Sequence, residues 1–320
     1  MARREEKLRC TKELYNEDMG PRRIKSIRFS ALSGEEIKNS AEVQVWNNRI
    51  YGADLRPVQN GLLDPRMGAA NKAGVCTTCH GNFSECPGHF GYLKLTLLVF
   101  NVGFFNSILN ILECICKLLG FCTYLATLIM LSGLSRILLV EDDRKTYLKK
   151  MRNPKADVAM KNALMTKIRD RCKLSICPWC GSKNGVVKKT KSSLAIAHDF
   201  SRTIDGSKDE VIAAMSHISS KSLHIAHLLS PIIVLSLFKK MLDEDCELLN
   251  MSDRPEKFIV TNIAIPTVSI RPSAFVDAGA SSNEDSITII LKGIISTNSV
   301  LREDLEGVVP PFKCLFNLLS

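Results

Sequence analysis

The chain has 320 residues, 45% of them hydrophobic and 24% charged, enough apolar matter to bury the cores of two modest domains and to exclude a wholly disordered tail. The formal net charge is +10 and there are twelve cysteines, while the opening MARREEKLRC lacks the apolar core and small-residue cleavage site of a secretory signal. The expectation is therefore an intracellular protein whose paired cysteines hold metal instead of forming disulfides.

Residues 24–32, IKSIRFSAL, alternate apolar and polar side chains and predict a strand, and Ser33 with Glu36 has the spacing of a capping box opening a short helix. AEVQVW from Ala41 reads as a second strand, and Gly61, Asp64, Pro65 and Gly68 mark a turn-rich approach to the first cysteine. Residues 76–89 read CTTCHGNFSECPGH. Two C-x2-C/H pairs, Cys76 with Cys79 and Cys86 with His89, can close on one tetrahedral zinc ion, with Pro87-Gly88 turning the second pair inward. A redox dithiol would need only one pair. His80, beside Cys79, would point away and is read as a bystander.

Phe105, Ile108, Leu109, Leu112 and Ile115 have helical spacing and predict a helix ending near Cys116. Eighteen uncharged residues follow between Lys117 and Arg136, LLGFCTYLATLIMLSGLS, the lower limit for a membrane span. Gly120, Thr123, Thr127, Ser132 and Gly133 interrupt the run and favour buried or irregular sequence over a span. Residues 144–192 hold fifteen Lys and Arg against two acids, Asp157 and Asp170. That +13 excess suits a nucleic acid or a solvated helix face, and charge alone does not choose. Within it, residues 155–172 predict a basic amphipathic helix with Met160, Leu164, Met165, Ile168 and Cys172 on its apolar side.

CPWCG then supplies Cys177 and Cys180, half of a second zinc knuckle, with Gly181 freeing the backbone after it. By spacing, Cys114, Cys116, Cys122 and Cys172 all remain candidates to complete it. Ser230 and Pro231 have the order of an N-cap and first helical residue for IIVLSLFKKML, and DEDCELLNM gives a short helix. Residues 257–272 alternate as strands do, and residues 278–286, AGASSNEDS, read as a linker. The acidic runs Glu141-Asp142-Asp143 and Asp243-Glu244-Asp245 read as solvated helix ends.

At LLDPRMG, CTTC, NFSECPGHFGYLKL and ILECICK, and then at CPWCGSKNGVVKK, LFKKMLDEDCELLNM, RPEKFIV and SIRPS, the sequence resembles the N-terminal clamp region of the largest subunit of eukaryotic nuclear DNA-directed RNA polymerases. The resemblance covers nearly the whole chain. NGVVKK, VSIRPS and NEDSITI are most similar to polymerase III. It implies an α+β, clamp-like fold of irregular mixed helices and short strands stapled by zinc. Four segments follow: 1–116 with the first zinc site, the apolar 117–137 where the family pattern is lost, the basic 138–192 with the knuckle, and 193–320, ending before the family's active-site region. Cys76, Cys79, Cys86 and His89 are implied as the first zinc site, and Cys116, Cys177 and Cys180 as a second. The family has another cysteine where this chain has Leu119. Pro266-Thr267 stands where the family usually carries two prolines.

The resemblance also implies what the chain does with others. The family's catalytic motif, Asn-Ala-Asp-Phe-Asp-Gly-Asp, which holds two Mg2+ ions, is absent here. The chain is thus expected to serve as a nucleotidyltransferase subunit, with Mg2+ only in the full polymerase and no small-molecule substrate of its own. Its expected partners are the other subunits, above all the second-largest, and the DNA template and DNA–RNA hybrid, in the nucleus. Lys188, Lys189 and Lys191 are the candidate DNA contacts. The competing reading is an autonomous zinc-dependent nucleic-acid-binding protein.

Overall fold

A computed structural model describes residues 27, 29–54, 56–70, 74–117, 135–154, 156–181, 184–190, 194–199, 226–276 and 281–307. In chain order its elements are α1 (Gly34–Ser40), β1 (Val43–Gln44), β2 (Gly91–Phe100), α2 (Phe105–Cys114), α3 (Glu141–Met151), α4 (Val158–Arg171), β3 (Val186–Lys189), β4 (Ile196–Asp199), β5 (Ala226–Leu229), α5 (Pro231–Lys239), α6 (Asp243–Leu248), β6 (Ile259–Ile265), β7 (Ala274–Val276), β8 (Ser281–Asn283) and α7 (Ser286–Glu306). Helices and small sheets mix without a repeating βαβ order, as the α+β expectation requires. The chain forms two units, one of Met1–Lys94 with Asn262–Ile295, the other of Leu95–Thr261 with Ser296–Ser320.

In the first unit the capping box closes as expected. The Glu36 N–H donates to Ser33 Oγ at 3.2 Å, and the Ser33 N–H donates to the Glu36 carboxylate at 2.7 Å. The strand expected over 24–32 does not form in its described part: Ile27 and Phe29–Leu32 have no regular structure, because alternation without a neighbouring strand leaves the ladder unpaired. Residues 24–26 and 28 lie outside the described residues. β1 does find a neighbour, pairing in parallel with the start of β2 through Val43↔Gly91 and Gln44↔Tyr92. Val43, Val45, Leu62, Leu63, Met67 and Leu93 are buried there.

Arg271 is fully buried in this unit, with Nε donating to Pro266 O at 3.0 Å, one terminal nitrogen to Thr288 Oγ1 at 3.2 Å, and the other to Leu62 O. Burial lowers its guanidinium to about 10. Three donated bonds to neutral acceptors tie the loop after β6 to α7 and to the turn before the first cysteine. The linker expected at 278–286 is corrected in part: β8 pairs antiparallel with β7, and Ser286 opens α7.

The core of the second unit gathers Phe100, Phe105, Ile108, Leu112, Leu138, Ile168, Val187, Ile196, Val234, Leu237, Phe238 and Leu248. The apolar stripe of α2 faces it as expected, burying Phe105, Ile108, Ile111 and Leu112. β3, β4 and β5 form an antiparallel meander with Val187↔His198↔His227 in register. Ser230 Oγ accepts from the Ile233 N–H, and Pro231 occupies the first turn of α5, as the sequence predicts. The amphipathic reading of α4 is corrected: Ile168 and Cys172 are buried, Leu164 and Met165 half-buried, and Met160 exposed. Only the C-terminal end of this helix reaches the core.

The two acidic runs do open α3 and α6, where carboxylates complement the positive helix end. Asp245, however, is fully buried and not solvated. It accepts from the Ile137 N–H at 3.1 Å and from Arg144 Nε at 3.0 Å. No helix among the described residues is long and apolar enough to cross a membrane, and residues 118–134 of the uncharged run lie outside them.

Candidate metal centres

The first centre is built by three tight turns in the first unit. Cys76 N–H donates to Gly81 O at 3.0 Å and His80 N–H to Cys76 O at 2.9 Å, closing the first pair, and His80 takes φ 59°. His80 is exposed and is not among the converging ligand atoms. Cys86 N–H donates to Asn82 O at 2.9 Å, and Gly88 at φ 82° swings His89 back, where its N–H donates to Met67 O at 3.1 Å. Backbone N–H groups of Thr78 and Gly88 each lie 3.4 Å from a sulfur, those of Cys76 and Cys86. The ligand atoms of Cys76, Cys79, Cys86 and His89 all lie within 4.8 Å of one another.

The electrostatics suit a cation. His89 beside it, then the Gly81 N–H, lowers the Cys79 thiol to about 6, while burial pushes Cys86 up to about 11. A buried thiol so reluctant to ionise needs a metal to become a thiolate. His89 Nε2 is buried without a hydrogen-bond partner, an orphan that a metal bond satisfies. Three sulfurs and one imidazole fit zinc, which would act there as a structural cross-link with every position filled.

Gly88 is constrained twice, by its φ and by Thr267, whose Cβ lies 2.5 Å from where an alanine Cβ would sit. Gly88→Ala is expected to cost roughly 2 to 5 kcal/mol in urea unfolding. Adding Thr267→Gly should recover the steric share and leave the backbone strain; full recovery would show that φ is not under strain.

The second centre joins the end of α2 to the knuckle after α4. Cys116, Cys177 and Cys180 bring their sulfurs within 4.8 Å, with Cys116 Sγ 3.7 Å from Cys180 Sγ. Gly181 takes φ 69° and its N–H donates to Cys177 O at 2.9 Å, repeating the His80 geometry with the residue type that accepts it at no cost. Cys116 beside it is the main reason the Cys177 thiol falls to about 5. Cys114 and Cys172, the other spacing candidates, lie buried in the hydrophobic core and are not among these converging sulfurs. Cys122 lies outside the described residues. The described residues thus supply three of the four ligands a structural zinc takes.

Three residues that spacing did not single out hold this centre. Lys117 is buried, its Nζ donating to Leu112 O at 2.9 Å and Ile115 O at 3.4 Å, so it caps α2 and fixes the backbone at Cys116. Burial lowers its amine to about 8. Trp179 Nε1 donates to Ile137 O at 2.8 Å, and Arg136 lies 4.6 Å over its ring. In the sequence, the one signal was a Lys between a candidate ligand and an uncharged run.

The candidate DNA lysines are only partly placed. Lys188 and Lys189 lie exposed on β3, and Lys191 is outside the described residues. Lys188 Nζ is 2.5 Å from the Asp199 carboxylate and Lys189 Nζ 5.4 Å from the Phe105 ring. The +13 excess is offset by acids from beyond the segment: Asp245 and Glu244 on Arg144, Glu247 on Arg152, Glu113 on Arg169 and Asp199 on Lys188. Lys149, Lys150, Lys161, Lys167 and Lys189 make no ion pair among the described residues.

The family model "RNA polymerase Rpb1, domain 1" matches residues 21–314. The chain is 36% identical over 310 residues to DNA-directed RNA polymerase III subunit RPC1 of Saccharomyces cerevisiae, covering 89% of this chain and 20% of that protein. It is 35% identical over 305 residues to the rpc1 subunit of Dictyostelium discoideum, covering 92% and 20%. It is 30% identical over 306 residues to DNA-directed RNA polymerase subunit Rpo1N of Methanocaldococcus jannaschii, covering 94% and 20%. The chain spans about a fifth of the length of these curated relatives. With the match running through both cysteine clusters and both units, the chain belongs to the family of RNA polymerase Rpb1, domain 1.

Proposed function

We propose that this chain is the N-terminal clamp part of the largest subunit of a DNA-directed RNA polymerase of the polymerase III type, a zinc-stabilised, DNA-contacting module in the transcription of small RNAs. It works in the nucleus with the other subunits, above all the second-largest. Nucleotide addition belongs to the assembled enzyme, whose Mg2+ is held outside these residues. The observation that carries the reading is the convergence of Cys76, Cys79, Cys86 and His89 into one ligand set inside a chain matched from residue 21 to 314. A zinc-stiffened body of this kind suits a part that moves as a unit over nucleic acid, where a thin, loop-rich core would not hold its shape alone.

Purification of the tagged chain from nuclei at gentle salt, followed by mass spectrometry, tests the assembly. Recovery with the second-largest subunit and small polymerase III subunits supports the reading. Recovery alone, with DNA still bound, supports the autonomous nucleic-acid-binding reading instead. The lysines give a second test in the assembled enzyme: Gln at Lys188, Lys189 and Lys191 is expected to weaken DNA retention across sequences and reduce the log–log salt slope by about 2 to 3. An unchanged slope removes these residues from the DNA path.

A further inference from the structure

A cleft of about 370 Å³ lies in the second unit between the end of α3, the first half of α4 and the chain from α6 to Arg254. That volume is in the range of small-ligand sites. Its apolar surface comes from Met151 and Cys246, both buried, with Met251 half-buried beside them. Burial raises the Cys246 thiol to about 11, so it presents an uncharged surface at neutral pH.

The charges around this surface leave one of them over. Asp243 is 2.7 Å from Arg254, Glu247 is 2.8 Å from Arg152, and Asp253 is 3.6 Å from Lys257. Arg254 is itself used up, with Glu256 at 2.8 Å and Met241 O at 2.9 Å. Lys161 on α4 also lines the cleft, half-buried, and among the described residues no carboxylate is in ion-pair contact with it. Asn250, at φ 52°, donates its side-chain amide to Asn162 at 3.3 Å and so ties the rim to the helix that carries Lys161.

We propose that this cleft binds a carboxylate on a short aliphatic stem, with Lys161 taking the charge and Met151 and Met251 taking the stem. A bare phosphate fits less well, because it leaves the methionine surface uncovered. The same chemistry is offered by a small aliphatic acid and by the C-terminal residue of a peptide. Neither depends on the polymerase reading.

The test uses the full chain with 13C-methyl methionine, the two signals being assigned from Met151→Leu and Met251→Leu. The probes are isocaproate, acetyl-Gly-Gly-Leu with its terminal carboxylate, the amides of both, and isoamylamine. Both carboxylates, or one of them, are expected to shift the Met151 and Met251 methyls saturably at millimolar concentration, the tighter one identifying the source. Lys161→Gln should weaken this about tenfold and Lys161→Arg should keep it. Amides acting equally well, preference for isoamylamine, unchanged binding in Lys161→Gln, or no shift with any probe would each overturn the proposal.

Discussion

Serine in place of Cys86 is expected to lower the zinc content of the purified chain by one ion and to unfold the first centre's three turns. Structural zinc in small cysteine sites contributes about 10 to 16 kcal/mol, as much as the whole stability of an ordinary domain, so no neighbouring contact can replace it. Cys86 is the strictest choice, because burial already disfavours its thiolate and serine cannot supply one. Metal analysis with amide exchange over residues 76–89 reads the result. Cys246→Ser, buried but in neither ligand set, should retain every metal ion. Equal zinc in Cys86→Ser and the parent would remove this residue from the ligand set.

Asp245→Ala is expected to destabilise the second unit by roughly 2 to 4 kcal/mol, because it leaves two buried donors without an acceptor at once. Arg144, with a side chain only 10% exposed, would keep Glu244 at 2.6 Å but lose the acceptor of its Nε, and the Ile137 N–H would lose its acceptor too. Asp245→Asn keeps an oxygen for Ile137 and should cost less than alanine. Arg144→Met in the alanine background should restore part of the loss by removing the unsatisfied Nε donor. Urea unfolding measures all three, and a loss below about 1 kcal/mol for alanine would show that water reaches the site.

The first centre was legible because all four ligands fall within fourteen residues and their spacing alone closes the ring. The Ser33 capping box and the Ser230-Pro231 helix start were legible for the same reason, each being a contact within three residues. The second centre was only half legible, since Cys116 and Cys180 meet across 64 positions. Asp245 misled because an acidic run at a helix start has the same sequence whether or not another segment arrives to bury its last member. Met160 misled for the converse reason: its spacing prepares an apolar face that no core residue covers among the described residues. The burial of Arg271 carried no signal, as an arginine bound by carbonyls and a hydroxyl looks like any surface cation in sequence.

The antiparallel bridge of Ile115 with Ile137, flanked by Cys116 N–H to Arg136 O at 2.9 Å and Leu138 N–H to Cys114 O at 2.8 Å, does more than hold a cysteine. Whatever lies between its two sides departs from and comes back to one fastened point. Lengthening such a stretch costs little, about 0.6 kcal/mol for each doubling. An insertion between the two fastened ends, carrying a fluorescent label or affinity tag, should therefore leave the register of Cys114–Cys116 against Arg136–Leu138 unchanged.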